Sequence, residues 1–244
     1  MIASSLSNIK NKIQSNSKVI LYVRLKNLFG DKKYYKFQTE DLLNMIREYL
    51  QPSEIYIPTF SYSFTKTKLY NVSSTPSEVG RFSEEIRKLF NNKKYRTHDP
   101  VFSVIETEKG LFKDNEFNID AFGPSSIWKY LNDHFHYIIN INLDIPIVST
   151  QLHYLEYENE IKYRYVKYFK GTVKGWNKTI HNFQYKYYVH NLENNSLWNR
   201  KKLYQFFKNN KIIVEDGPIK IFDGLKLSNL VKKKLSENKN FLII

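Results

Sequence analysis

The chain has 244 residues, 41% of them hydrophobic and 16% aromatic, with a formal net charge of +14 and no cysteine. That apolar content supplies a core and excludes a globally disordered chain, and no run approaches the ~18 apolar residues of a membrane-spanning helix. The absence of cysteine excludes disulfides, thiolate nucleophiles and cysteine-ligated zinc together.

The length predicts one compact α/β domain with a smaller attached part. The opening MIASSLSNIKNKIQSNSK lacks the continuous apolar stretch of a signal peptide, so a cytoplasmic protein is expected. The charge has two readings. It suits nucleic acid, an anionic membrane or an anionic small molecule such as a coenzyme or nucleotide sugar. It also suits a coding bias that raises lysine for no functional reason.

In chain order, KVILYVRLKNLF (18–29) reads as a strand. TEDLLNMIREYL (39–50) reads as a helix with Thr39 as N-cap, acids in its first turn and a stripe of Leu42, Leu43, Ile46 and Leu50. EIYIPTFSYSF (54–64) is a second strand, and TPSEVGRFSEEIRKLF (75–90) a second helix, capped at Thr75 with Pro76 in its first position. DPVFSVIE (99–106) is strand-like, SSIWKYLND (125–133) a helix, and FHYIININL (135–143) an apolar strand. The alternation predicts an α/β sheet with helices on its faces.

After residue 160 the texture changes. Residues 161–192 are rich in Tyr and Lys, with turn signals at Gly171 and Gly175, and predict a β-hairpin or small antiparallel sheet. SLWNRKKLYQFFKNN (196–210) predicts a helix, KIIVEDGPIKIFDG (211–224) a hairpin and LKLSNLVKKKLSEN (225–238) a closing helix. The organisation expected is an α/β core over 1–160 and a β-rich lobe with C-terminal helices over 161–244, packed together as one unit.

Three stretches carry chemistry. At Thr75 to Gly80 small and hydroxylated residues gather at a helix start, which suits either ordinary capping or an anion held on free N–H groups. YRTHDPVFSV offers Arg96, His98 and Asp99 before a strand, as a site or as a surface turn. STQLHYLEY (149–157) puts His153 and Glu156 three apart, on one face of a helix, as a base and its orienting acid or as a solvated helix end. His134 and His136 could share a metal on a strand, but a third ligand is missing, so a surface pair is the plainer reading. No phosphate-binding glycine loop and no G-x-S-x-G elbow is present.

Read together, five stretches resemble the aminoglycoside 3-N-acetyltransferase family in order and approximate spacing: IPTFSYSF (57–64), TPSEVGRFSEEIRK (75–88), RTHDPVFS (96–103), FGPSSIWKYL (122–131) and STQLHYLEY. The resemblance implies that family's α/β/α sheet, here with an added antiparallel β element in the last third. It also implies transfer of an acyl group from acyl-CoA, acetyl or longer, to a sugar amine, with no metal. His153 is then the base that deprotonates the amine, Glu156 the carboxylate that orients it, and Asp99 the rival base. Thr75, Ser77, Gly80, Arg96 and Ser103 would hold the coenzyme, and Tyr62, His98 and Phe122 the acceptor.

Departures shift the acceptor. Family members run from the first strand into a His-Ser-Ser-Leu-like segment, where this chain has YVRLKNL with Arg24. Asp99 stands where resistance enzymes carry histidine, and FQYKYYVHNL stands near their later acidic segment. A basic protein is also a poor host for a polycationic antibiotic. The chain is thus more similar to the surface-polysaccharide branch, of the kind that acylates a dTDP-4-amino-4,6-dideoxyhexose in anthrose synthesis. Its partners would be acyl-CoA and a nucleotide-linked amino sugar, with homodimer formation left open. Aminoglycoside acetylation is the alternative of the same fold. A Lys- and Tyr-rich nucleic-acid-binding module is the alternative of another class, though no recognised nucleic-acid motif accompanies it.

Overall fold

The structure is a computed structural model; it describes residues 2–26, 28, 39–109, 117–134, 136–143, 148–191 and 197–243. A six-stranded sheet forms the centre. Its strands are β1 (Lys18–Val23), β2 (Glu54–Pro58), β4 (Val104–Glu106), β5 (His136–Ile141), β8 (Ile213–Asp216) and β9 (Ile219–Asp223), in the order β4-β2-β1-β5-β9-β8. β1 runs parallel to β2 and β5, while β4, β8 and β9 join antiparallel. A three-stranded sheet of β3 (Leu69–Asn71), β6 (Arg164–Lys174) and β7 (Thr179–His190) packs beside it.

Strand alternation explains the layers. Val19 and Leu21 of β1, Ile55 and Ile57 of β2, and Ile139 and Ile141 of β5 point to one side. There they meet α1 (Ile2–Ile9), α2 (Thr39–Leu50) and α4 (Arg81–Leu89). Ile20, Tyr56 and Ile138 point to the other side. That side is covered by α5 (Ile127–Asp133), α6 (Ser149–Glu158), α7 (Arg200–Asn209), α8 (Gly224–Glu237) and the small sheet. All four members of the α2 stripe are buried, as its period requires. Thr39 is the helix's first residue, and its hydroxyl donates to the Glu85 carboxylate on α4.

Several expectations change. The helix expected from Thr75 begins at Arg81. Instead, the Thr75 hydroxyl accepts from the Asn71 N–H at 2.7 Å in a turn, and Gly80 takes φ +115°, a conformation that favours glycine. Residues 99–103 form a turn, and the strand is only Val104–Glu106. Gly171 is not a turn: it lies within β6, at a register shift. A Cβ there would sit 2.3 Å from the Lys68 carbonyl oxygen, so the glycine lets the short α3 (Phe64–Thr67) and the start of β3 approach the hairpin. Gly175 does fall in the hairpin loop. The boundary drawn at 160 does not divide the sheets, since β8 and β9 complete the central one.

The His134–His136 pair, expected at the surface, is not a surface pair. His136 is buried, its Nδ1 facing the His134 carbonyl at 2.9 Å, while His134 lies over the Tyr130 ring at 4.3 Å. Among the described residues no three His, Cys, Asp or Glu side chains converge on a point. No helix among them is long and apolar enough to cross a membrane.

Candidate active site

The parallel strands β1, β2 and β5 direct their carboxyl ends to one edge of the sheet, where α/β proteins bind ligands. Tyr22, near the end of β1, meets Thr150 in the first turn of α6 there, and burial pushes its phenol up to about 12. Beyond β2 the chain continues as Thr59–Ser61, whose N–H groups bond the carbonyls of Ser103 and Val101.

Four of the five stretches that carried the resemblance meet at this edge through rings, while Phe82 of the 75–88 stretch packs on the other face of the sheet. Phe102 packs edge-on against Phe60, Tyr62 and Tyr187, and at 5.3 Å against Phe122. Phe60 meets Trp128 at 5.8 Å, and Phe122 meets Tyr154 and Tyr157 of α6.

On α6 the pair legible in the sequence is formed. His153 Nδ1 lies 2.8 Å from Glu156 Oε2; the imidazole side chain is 23% exposed and the carboxylate 0%. The tertiary fold supplies three further partners for that carboxylate. Oε1 accepts from the Tyr163 hydroxyl at 2.9 Å and from the Trp198 indole N–H at 2.7 Å. Arg164 brings its Nε to 2.6 Å from Oε2 as an ion pair, without the alignment of a hydrogen bond. Burial works to raise the Glu156 pKa, but His153, Arg164 and Trp198 together hold it below the usual glutamate value. Burial, helped by the Arg164 charge, lowers the His153 pKa against the opposing pull of Glu156. The imidazole is therefore neutral in neutral solution. A buried carboxylate that accepts at Nδ1 fixes the proton there and leaves Nε2 with the lone pair. The ring also leans on Trp198, with centroids 4.5 Å apart. That assembly can accept a proton.

The other expected residues are placed differently. Asp99 is 2% exposed, and its carboxylate accepts four hydrogen bonds: from the N–H groups of Val101 and Phe102, the Tyr185 hydroxyl and the Asn118 amide. Burial raises its pKa while those donors pull it down. Arg96 is equally buried. It donates to the carbonyls of Thr59, Val72 and Thr75 and to the hydroxyls of Thr59 and Ser103. Ser103 in turn donates to the Thr59 carbonyl. Arg96 and Ser103 thus tie the turns of the site edge together.

His98 stacks on Phe117 at 4.7 Å and accepts the Trp176 N–H at its Nε2. Phe122 is buried in the ring cluster, whereas Tyr62 is 40% exposed at its rim. In the 75–80 turn the Ser77 N–H already binds the Glu84 carboxylate at 2.8 Å. Glu84 also pairs with Arg87, which with that N–H drops its pKa to about 2. An internal carboxylate thus occupies one N–H of the expected anion site.

Sequence reading missed Tyr163, Arg164 and Trp198 as parts of the site. KYRY looks like any basic strand start and Trp198 like a packing residue, and only their positions in space join them to α6. An open groove of about 710 Å3, lined by Phe117, Asp120, Tyr168, Lys178, Phe183 and Lys186 among others, lies against the hairpin and does not include His153.

Comparison with known proteins adds to this geometry. No protein-family profile and no curated protein sequence matches the chain. Among solved structures, the YokD protein from Bacillus subtilis aligns with TM-score 0.69 at 15% identity, covering 97% of this chain and 99% of that one. A histidine-to-alanine mutant of aminoglycoside acetyltransferase AAC(3)-IVa, in complex with a gentamicin, aligns with TM-score 0.72 at 10% identity, covering 98% and 90%. AAC-IIIb in binary complex with CoASH aligns with TM-score 0.72 at 9% identity, covering 96% of each chain. The fold is that of the AAC(3) acetyltransferases, with an α/β sheet and a second, smaller sheet.

Proposed function

We propose that this chain is an acyl-CoA-dependent N-acyltransferase that acylates the amine of a nucleotide-linked amino sugar by direct transfer. The observation that carries the reading is the His153–Glu156 couple on α6, reached by solvent only through the imidazole, within a fold shared with CoA-binding acetyltransferases.

The chemistry requires such a group. A sugar amine is an ammonium near neutral pH and has no lone pair until it loses a proton. His153 Nε2 takes that proton, and Glu156 steadies the imidazolium. The amine nitrogen then forms its bond to the thioester carbonyl carbon and gives up a second proton to solvent, so that the amide keeps one N–H. As the tetrahedral oxyanion collapses the C–S bond breaks, and the departing thiolate takes the proton from His153. The chain has no cysteine, so no thioester on the protein intervenes.

With its hydrogen bonds filled, Asp99 serves this reading best as the anchor of the turn beside the site, and Arg96 and Ser103 as its frame. The coenzyme lies along the 75–80 turn and the exposed Tyr62 contacts the acceptor. The net charge of +14 favours an acceptor with a diphosphate, and the rim of Tyr62 and Tyr187 suits a nucleobase.

The test is a thermal-shift panel of acyl-CoAs and nucleotide amino sugars, followed by mass detection of the N-acylated sugar. Stabilisation by an acyl-CoA together with product is the expected result. Product from no nucleotide sugar overturns the acceptor assignment, and no response to any acyl-CoA overturns the enzyme class. A second reading, aminoglycoside acetylation, is favoured by the neighbour that binds gentamicin, and growth of an expressing host on gentamicin tests it.

A further inference from the structure

The geometry points to Arg164 as a positioning residue of the His153–Glu156 couple: its guanidinium sits on the same carboxylate oxygen as the imidazole and sets how strongly that couple holds a proton. The inference rests on the reading of His153 as the base and names a residue that acts through it.

Arg164 opens β6, on the strand that follows α6, and its side chain is 10% exposed. The Nε lies 2.6 Å from Glu156 Oε2, yet its N–H is not aligned on any acceptor among the described residues. The guanidinium also lies over the Trp198 ring at 5.9 Å, the ring that covers His153. A histidine–glutamate pair alone would favour the imidazolium, because the buried carboxylate has no other cation to balance it. A permanent cation on the same oxygen supplies that balance, so the ring stays neutral and ready to accept a proton. Tyr163 and Trp198 hold the other oxygen, which keeps the carboxylate from swinging to Arg164 alone.

The groups that face His153 come from several elements. Glu156 is on its own helix, Arg164 is on β6, and His190 at the end of β7 adds repulsion to the imidazolium. Tyr163 meets the His190 ring at 6.4 Å, and Arg200 at the head of α7 lines the cleft shared by Ser149, Leu152 and Trp198. Of these, only Arg164 is a fixed charge on the carboxylate itself.

The test compares wild type with Arg164→Gln and Arg164→Lys, each first checked for a cooperative thermal melt. Histidine resonances are titrated by NMR, with His153 identified by its loss in a His153→Gln variant. The expected result is a wild-type His153 midpoint below that of a free histidine, moved upward in Arg164→Gln and less in Arg164→Lys. In acyl transfer, Arg164→Gln lowers kcat/KM at pH 6.5 by about tenfold relative to pH 8.5 beyond the wild-type ratio, with coenzyme affinity kept. A wild-type midpoint at or above the free value, or one unmoved by Arg164→Gln, overturns the proposal. If neither variant folds, the wild-type midpoint decides. A midpoint that moves while the pH–rate profile stays fixed supports the coupling and counts against His153 as the base, so the two failures are distinct.

Discussion

Two buried carboxylates stand at the same edge of the sheet, Glu156 on α6 and Asp99 in the turn before β4. Both are almost wholly buried, and both collect donors from distant parts of the chain. They differ in what those donors are. Asp99 is held by two main-chain N–H groups, a tyrosine and an asparagine, none of which changes its charge near neutrality. One of Glu156's partners is an imidazole that is itself partly exposed. A carboxylate closed off by fixed donors braces the backbone, whereas one that shares a titrating partner can pass on the arrival of a proton. Burial and hydrogen-bond number do not separate the two. The identity of the partner does.

The largest expected effect falls on the carboxylate that shares an imidazole. His153→Ala is expected to cut acyl transfer at least ~100-fold, the scale of a lost general base, while the thermal shift with acyl-CoA persists. Near-normal turnover would erase the contrast. On the framework side, Arg96→Met removes the guanidinium's hydrogen bonds to the carbonyls of Val72 and Thr75 and leaves the Thr59 carbonyl with the Ser103 hydroxyl alone. A loss of about 3 kcal/mol in denaturant-melt stability is expected. Asp99→Asn sets a second amide against that of Asn118 and is expected to cost about 1–2 kcal/mol, with turnover per folded molecule changed less than tenfold. A hundredfold fall in kcat with an unchanged melt would return Asp99 to the role of base.

The smallest effect concerns pH. His136 is buried, and burial lowers its pKa in the folded protein from the ordinary value near 6.5. The unfolded chain therefore binds a proton that the native state refuses, so stability is whole above that value and falls as pH drops through it. His136→Gln is expected to flatten the Tm–pH curve between pH 7 and 5. His153, lowered in the same direction, leaves part of the slope in place.

Much of the fold was legible where local pattern and burial agree. The α2 stripe, the apolar β5, the hairpin after residue 160 and the closing helix α8 follow from spacing and composition. The errors fall where a distant residue changes local chemistry. Thr75–Pro76 carries a good helix start, but Glu84 reaches back to Ser77 and Arg96 takes the Thr75 carbonyl, so the chain turns until Gly80. Gly171 looks like a turn, and its real function is to let Lys68 approach. At the site, His153 and Glu156 were readable because a helix brings i and i+3 together. Tyr163, Arg164 and Trp198 were not, because strand β6 and the approach to α7 come to Glu156 only when the sheets pack.

The order of residues alone determined the layered α/β class, the helix that carries an imidazole beside a carboxylate, and an excess of positive charge. Which donors close around each buried carboxylate was decided only by packing. The reason is physical: a side chain's proton affinity depends on the charges and donors within a few ångströms of it, and those come from segments tens of residues away.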